Sequence, residues 1–201
     1  MIGILDYKFC NTKSIFETMD VISDNVKLIT EPKQIKLVDK LIIPGVGSAF
    51  TAMKFLKSFG FTDEIREFVE NEKFLLGICL GMQILFNNLS ENGPVKGLGF
   101  FKSNVEPISK FLNLKTNIGW RKISNLENKK QFNIKNGNFF YFCHSYFVEL
   151  ENEENKFMKF NISNYHNIPA VIEKNNIIGF QFHPEKSQKN GIELLKHFNN
   201  L

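Results

Sequence analysis

Cysteine is scarce in this chain of 201 residues, and its three copies, Cys10, Cys79 and Cys143, lie far apart. An odd number of widely separated cysteines argues against a disulfide framework and favours a reducing compartment. Neither the cysteines nor the four histidines have the close spacings of a zinc site. We therefore expect free thiols in a cytoplasmic protein, with no bound metal and no cofactor.

Long apolar segments and clustered positive charges are also missing. No stretch reaches the roughly 18 apolar residues that a membrane-spanning helix needs, and the N-terminus lacks the basic region and cleavage site of a signal peptide. The formal net charge is +4, but the lysines and arginines are scattered along the chain. Because nucleic-acid-binding proteins concentrate such charges on one face, we expect neither a nucleic-acid nor a membrane partner.

The chain does have a hydrophobic content of 43%, which suffices for one domain over residues 1–201. In the first half, strand-like runs alternate with helix-like runs, as is typical of a mostly parallel sheet with helices on both faces. In the second half, strand-like runs follow one another through turns rich in Asn and Gly, which indicates an antiparallel extension. The predicted α/β fold has parallel strands near 2–5, 26–29, 40–43 and 74–79, helices near 12–20, 63–71, 83–88 and 193–198, and extension strands near 100–101, 117–123, 139–148, 157–161, 170–173 and 177–182.

The segment GICLGMQ at residues 77–83 ends an apolar run and places Cys79 between two glycines. This pattern is typical of a nucleophile elbow, a strand–turn–helix in which the side chain at the turn stands above the sheet. The backbone N–H groups after the turn favour a thiolate and stabilise a developing oxyanion. A buried cysteine packed between glycines is the alternative that this motif alone leaves open.

A thiol nucleophile needs a base, and the base needs an orienting group. His183 lies at the end of a strand, where Pro184 stops the strand and Glu185 follows two residues later. Glu185 is close enough to accept a hydrogen bond from the imidazole, so His183 and Glu185 are the best base and orienter in the chain. We assign His166 to a loop and His197 to a surface or half-buried position of an amphipathic helix.

Two loops are candidates for further groups of the site. Pro44-Gly45-Val46-Gly47 follows a buried strand, and its closely spaced glycines allow amide N–H groups to point into a cavity as an oxyanion hole. An ordinary glycine turn remains the alternative. The polar turn Ser90-Glu91-Asn92-Gly93 follows an apolar helix end, and on its own it is a solvated loop.

Taken together, these segments resemble the class I (triad) glutamine amidotransferases, and in particular the HisH-type glutaminase subunits of imidazole glycerol phosphate synthase. The resemblance implies the flavodoxin-like fold of that family. The matching motifs follow the family's order over nearly the whole chain: Asp6-Tyr7 with Asn11 and Ser14, the 44–47 loop, the 77–83 elbow, Ser90-Glu91, Gly97-Leu98-Gly99, Gly119-Trp120, Tyr141, His144-Ser145-Tyr146 and residues 179–187.

The resemblance implies a role for each matching residue. Cys79 attacks the side-chain amide carbon of L-glutamine, His183 transfers the proton to the departing ammonia, and Glu185 orients His183. Water then hydrolyses the glutamyl thioester to glutamate. The residues implied to hold the oxyanion and the substrate are Val46, Gly47, Leu80, Gln83, Glu91, Ser145 and Tyr146.

The resemblance also implies a partner. In this family the ammonia passes to a HisF-type (β/α)8-barrel cyclase in a heterodimer. There it reacts with a phosphoribulosyl-formimino aminoimidazole carboxamide nucleotide and gives imidazole glycerol phosphate in histidine biosynthesis. The positions that face the cyclase match Asn11, Trp120, Tyr141 and Lys186.

The sequence departs from the family pattern near the predicted partner surface. Two glycines of the first loop are replaced by Lys8 and Cys10, which predicts a changed loop path, and Asn117 and Arg121 replace a usual histidine and asparagine. These departures leave two alternatives open. One is a paralogous subunit that supplies ammonia for acetamidino sugars of surface polysaccharides or flagellins, and the other is a non-catalytic scaffold.

Overall fold

A computed structural model describes residues 1–8, 12–124, 134–135, 137–149, 156–162 and 165–201, and every structural statement below concerns these residues. Three short 3-10 turns accompany the regular elements, at Pro32–Leu37, Ile108–Lys110 and Pro184–Lys186. The elements in chain order are β1 (Ile2–Leu5), α1 (Thr12–Ile22), β2 (Val26–Ile29), β3 (Lys40–Ile43), α2 (Ala49–Ser58), α3 (Phe61–Glu70), β4 (Phe74–Ile78), α4 (Leu80–Gln83), β5 (Phe86–Leu89), β6 (Val95–Lys96), β7 (Phe101–Pro107), β8 (Asn117–Ser124), β9 (Phe139–His144), β10 (Tyr146–Glu149), β11 (Lys156–Ile162), β12 (Tyr165–Lys174), β13 (Ile177–Phe180) and α5 (Gln188–Asn200).

Five parallel strands form the centre of the molecule, in the order β2-β1-β3-β4-β13. Successive side chains of these strands point to opposite faces of the sheet, and apolar side chains are buried under helices on both faces. Ile42 and Leu76 join the core cluster that contains α1 and α5 residues, whereas Leu41 and Leu75 join the cluster that contains α2 and α3 residues. The predicted parallel sheet with helices on both faces is confirmed.

The antiparallel extension is confirmed as well, since it continues the sheet from β13 through β12, β11 and β8 to β9. Two runs that the sequence assigned to it lie elsewhere. The run 177–182 contains β13, which pairs in parallel with β4, and the run 100–101 leads into β7 of a second sheet. The run 139–148, expected as one strand, breaks at Ser145 into β9 and β10. β10 then belongs to a second, four-stranded sheet with the order β10-β7-β5-β6, which the sequence did not predict.

Two helix predictions differ from the structure. The helix expected over 83–88 is wrong, since α4 ends at Gln83 and β5 pairs with β7. Phe86 stacks on Phe101 with ring centroids 5.1 Å apart, so tertiary packing outweighs the helix-like apolar spacing. Helix α2 was missed, although Ala52, Met53 and Leu56 bury one of its faces. None of the described helices is both long and apolar enough to cross a membrane.

Candidate active site

Three neighbouring parallel strands end at the same edge of the sheet and carry the predicted motifs there. β3 leads into the Pro44–Gly47 loop, β4 leads into Cys79, and β13 leads towards His183. In open α/β sheets the crevice at the carboxyl ends of the strands is the usual binding place. The order of these strands therefore brings together segments that are far apart in the sequence.

Cys79 sits in a tight turn between β4 and α4. Its backbone has φ 52° and ψ −107°, a sparsely populated conformation for a residue with a side chain. The Cys79 N–H donates to the Phe180 carbonyl at 2.7 Å, which fixes the turn to the end of β13. A Cβ at Gly81 would lie 1.9 Å from the Ile43 carbonyl oxygen, so only glycine lets α4 start so close to β3. This is the geometry of a nucleophile elbow.

His183 and Glu185 form a buried pair next to this turn. His183 Nδ1 lies 2.8 Å from Glu185 Oε1, and the two side chains are only 3% and 8% exposed. The Ser187 hydroxyl donates to the His183 carbonyl at 2.6 Å and holds the short turn that carries Glu185. The imidazole is therefore oriented by its own chain neighbours.

The Cys79 side chain lies close enough to the His183 imidazole to act on its pKa. Burial lowers the pKa of His183, but the hydrogen bonds and negative charges of Cys79 and Glu185 outweigh burial and raise that pKa to about 10. At neutral pH the structure thus favours an imidazolium between a sulfur and a carboxylate. Cys79, His183 and Glu185 are brought together as a sequence-predicted set.

A cavity of about 300 Å³ opens directly above Cys79. His183 and Glu185 are not among the residues that line this cavity. All the residues predicted to hold the oxyanion or the substrate line this cavity together with Cys79, namely Val46, Gly47, Leu80, Gln83, Glu91, Ser145 and Tyr146, and the remaining wall residues are Gly45, Thr116, Ile118, Cys143 and His144.

Two of the lining side chains are held by other segments. Glu91 Oε2 accepts the N–H of Ala49, the first residue of α2, at 2.5 Å. A carboxylate at a helix N-terminus is favourable, so Glu91 ties its own turn to the end of the Pro44–Gly47 loop. Gln83 Nε2 donates to the Tyr146 carbonyl at 2.8 Å and to Gln181 Oε1 at 3.2 Å.

His144 is a lining residue that the sequence placed in a motif without giving it a role. Its Nδ1 lies 2.7 Å from the Tyr146 carbonyl, which only accepts, so Nδ1 carries the proton and Nε2 accepts from Asn117 Nδ2 at 2.9 Å. Burial lowers the pKa of His144 to about 4, and the charges of His183 and Arg121 act in the same direction. His144 is therefore a neutral part of the wall.

Gln181 is the second residue that sequence reasoning missed. It is fully buried, and its amide lies between Gln83 and the sulfur of Cys79. The available signal was its position two residues before His183, because alternate residues of an extended segment point to the same side. Within the described part of the chain, no cluster of His, Cys, Asp and Glu side chains is suited to a metal ion.

The structure brings two of the predicted partner-facing residues together on the outer face of β8 and β9. Trp120 pairs with Tyr141 across these strands, with ring centroids 6.1 Å apart, and Trp120 is 41% exposed. The turn with the exposed Lys186 is joined to this face, since the Tyr141 N–H donates to Ser187 Oγ at 2.9 Å. Asn11 lies outside the described residues.

Lys8 is the last described residue of the first loop, whose path is predicted to change with the loss of its glycines. Lys8 has φ 63°, the left-handed conformation that glycine favours. Its N–H donates to Asp6 Oδ1 at 2.9 Å. At this position lysine keeps the glycine-like conformation at a cost of about 1 kcal/mol, while Cys10 lies outside the described residues.

Comparisons with known proteins agree with this geometry. A family model described as glutamine amidotransferase class-I matches residues 4–200. The imidazole glycerol phosphate synthase subunit HisH of Caldanaerobacter subterraneus subsp. tengcongensis is 39% identical over 100% of this chain and 98% of its own. Subunit HisH 1 of Campylobacter jejuni subsp. jejuni is 38% identical over 100% of both chains.

A solved structure extends the likeness at the level of the fold. PurLQS from Thermotoga maritima superposes with a TM-score of 0.77 over 99% of this chain and 97% of that chain, at 17% identity. At this identity the likeness concerns the fold alone. With the family model and the relatives above, it follows that the chain belongs to the class-I glutamine amidotransferase family and, within it, to the family of the HisH subunits.

Proposed function

We propose that this chain hydrolyses L-glutamine with a Cys79–His183–Glu185 triad and supplies the ammonia for imidazole glycerol phosphate synthesis. The observation that carries the proposal is a strained, cavity-facing Cys79 beside a buried His183–Glu185 pair on whose imidazole it acts. The end-to-end match with HisH subunits supports the pathway, which is histidine biosynthesis. We also propose that residues 1–201 form one domain, which the family match over 4–200 supports.

In the first half of the reaction, the Cys79 sulfur attacks the side-chain amide carbon of glutamine. The carbonyl oxygen becomes an oxyanion, which the Leu80 N–H and an N–H of Val46 or Gly47 stabilise. His183 gives its proton to the amide nitrogen, the C–N bond breaks, and ammonia leaves. A γ-glutamyl thioester on Cys79 remains, and Glu185 stabilises the charged imidazole before the proton is transferred.

In the second half, water cleaves the thioester. His183 is now neutral and takes a proton from the attacking water, while the same N–H groups stabilise the second oxyanion. The C–S bond breaks, glutamate leaves, and the proton on His183 restores the imidazolium beside the Cys79 sulfur. The raised pKa of His183 favours this resting state.

The cavity suits a small zwitterion such as glutamine. Its volume of about 300 Å³ is at the lower end for ligand sites. We assign the α-ammonium group to the Glu91 carboxylate, and the backbone at Ser145 and Tyr146 to the other polar groups of the substrate. Gln83 supports this wall through its bond to the Tyr146 carbonyl.

Replacing Ala49 by proline tests whether Glu91 depends on its bond to α2. Proline suits the first helical position, and Ser48 has the extended backbone, φ −99° and ψ 134°, that precedes proline. The variant removes the donor to Glu91, and the proline Cδ takes the place of the N–H hydrogen, so the carboxylate has to move away from α2. We expect KM for glutamine to rise about tenfold, as for one hydrogen bond to a charged group, with a smaller change in kcat. Ala49→Gly keeps the N–H and is the control, and equal KM values in the two variants would exclude this role.

We propose that a HisF-type cyclase subunit docks on the outer face of β8 and β9. Trp120 and Tyr141 offer an aromatic pair there, and the exposed side chains of Ile118 and Phe139 extend the apolar surface. Aromatic residues at the centre of such a face are the usual anchors of protein interfaces. Ile118 and Cys143 also line the cavity, so the docked partner lies next to the place where ammonia forms. We assign Lys186 and Asn11 to the same interface.

The coupling of the two subunits tests this proposal. Glutamine hydrolysis by the purified chain is measured alone, with the cyclase subunit of the same organism, and with that subunit plus its nucleotide substrate. We expect low activity of the chain alone and a large increase in the complete mixture. When the Trp120→Ala variant replaces the wild-type chain, we expect a smaller increase. Equal activity in all mixtures would count against a channelled complex. The free thiols of Cys79 and Cys143 support the cytoplasmic location of such an enzyme.

A further inference from the structure

Gln181 is a primary amide in an apolar part of the core. It follows β13 directly, lies between Phe180 and Phe182, and is fully buried. Burying an amide without hydrogen bonds costs a few kcal/mol, about 1–3 by protein mutational data. The partners of this amide therefore indicate why it is there.

The neighbours of Gln181 determine which way its amide points. Gln83 Nε2 is a donor, and it faces the Tyr146 carbonyl at 2.8 Å and Gln181 Oε1 at 3.2 Å. Because Gln83 donates, the side of the Gln181 amide that faces it has to be the oxygen. The NH2 group of Gln181 is then turned to Cys79, with Nε2 at 3.8 Å from Sγ.

The surroundings of the Cys79 sulfur include groups that favour opposite protonation states. The Cys143 carbonyl oxygen lies 3.7 Å from Sγ and only accepts, so it favours the neutral thiol. Donors favour the thiolate, and Gln181 contributes one from the buried side. The titratable groups around the sulfur are His183 with its partner Glu185, and Cys143, His144, Glu91 and Tyr146 in the cavity wall.

We propose that Gln181 is a catalytic residue that donates an N–H to the Cys79 sulfur and stabilises its thiolate, and that Gln83 is the positioning residue that fixes the Gln181 amide. This inference rests on Cys79 being the nucleophile of the proposed function. It gives Gln83 a role beyond the substrate wall. It also explains a polar side chain in the apolar run before His183.

The test uses the reaction of Cys79 with iodoacetamide in the full chain without glutamine. The rate is followed from pH 5 to 10 by mass spectrometry of the peptide that contains Cys79, so that Cys10 and Cys143 do not interfere. Gln181→Met keeps the volume and removes the donor. We expect the alkylation rate of this variant at pH 7 to fall about tenfold and the midpoint of its pH profile to move up by about one unit.

Gln83→Met is the second variant and leaves Gln181 in place without its positioning partner. We expect a shift in the same direction but smaller, and thermal unfolding identifies any variant that fails to fold. If Gln181→Met does not fold, the Gln83→Met profile decides. A packing role for Gln181 predicts unchanged pH profiles for both folded variants, and that result would overturn the proposal.

Two further outcomes separate this proposal from the proposed function. A wild-type Cys79 that reacts only at the pH of an ordinary thiol would overturn the role of Gln181, whatever the glutaminase activity. Conversely, a shifted profile in Gln181→Met together with no glutamine hydrolysis by the wild-type complex would support the donor to Cys79 and contradict the proposed function.

Discussion

Replacing Cys79 by alanine should lower glutamine hydrolysis by about 10⁴-fold or more, because a triad without its nucleophile keeps only the contributions of binding and the oxyanion hole. The same variant should still support synthesis from added ammonia in the complex with the cyclase subunit. The Cys79 side chain is small and nearly buried, with 6% exposure, so its loss changes neither the outer face of β8 and β9 nor the folding of the chain appreciably.

The two activities of one preparation provide the control. Glutamate formation reports on Cys79, and ammonia-dependent product formation reports on folding and docking. Loss of both would indicate a folding defect, and His183→Asn would then decide, because it leaves the elbow intact. Wild-type glutamine hydrolysis by Cys79→Ala would remove Cys79 as the nucleophile.

Replacing Gly81 by alanine should cost several kcal/mol of unfolding free energy, since the added Cβ meets the backbone of β3 with no side chain to move aside. The Ile43 carbonyl oxygen would lie 1.9 Å from this Cβ and the carbonyl carbon 2.8 Å. Destabilisation above about 4 kcal/mol is typical only of such severe overpacking or strain. Any folded fraction should lose at least about 100-fold in activity, because moving α4 by 1 Å displaces Cys79 and the Leu80 N–H.

Gly60→Ala is the matched control for this substitution. Gly60 has φ 77° at the start of α3, and a Cβ there meets nothing within 4 Å. Its replacement should cost about 1 kcal/mol from the left-handed backbone alone and leave activity unchanged. Urea unfolding compares the two, and similar losses in both variants would show that the crowding at Gly81 is relieved by small shifts.

The proposed triad was predictable because its signals are local. Cys79 lies in a turn whose two glycines are within the same seven residues, and Glu185 reaches His183 from two residues away in one 3-10 turn. Parallel strands buried on both faces are also evident as short apolar runs. What joins these local pieces is the strand order β3-β4-β13, which places the ends of all three motifs side by side.

The supporting contacts were not predictable, because they join segments that are remote in sequence. Gln83 bonds to Gln181 across 98 positions, and Glu91 bonds to Ala49 across 42. The position of Gln181 two residues before His183 places it on the same side of the chain, but the local sequence does not show that its amide lies between Gln83 and the sulfur. The wrong helix prediction over 83–88 has the same origin. Phe86 stacks on Phe101, a remote residue of the second sheet, and this packing outweighs the helix-like apolar spacing of the segment.

The most direct test of the central claim is the fate of the amide nitrogen of glutamine. The chain, the cyclase subunit and its nucleotide are incubated with glutamine that carries a nitrogen isotope label in the side-chain amide, in the presence of unlabelled ammonia. We predict labelled imidazole glycerol phosphate, formed in equal amount to glutamate, and no product label with Cys79→Ala. Glutamate released without labelled product would contradict this account and assign the ammonia to another acceptor, such as a sugar.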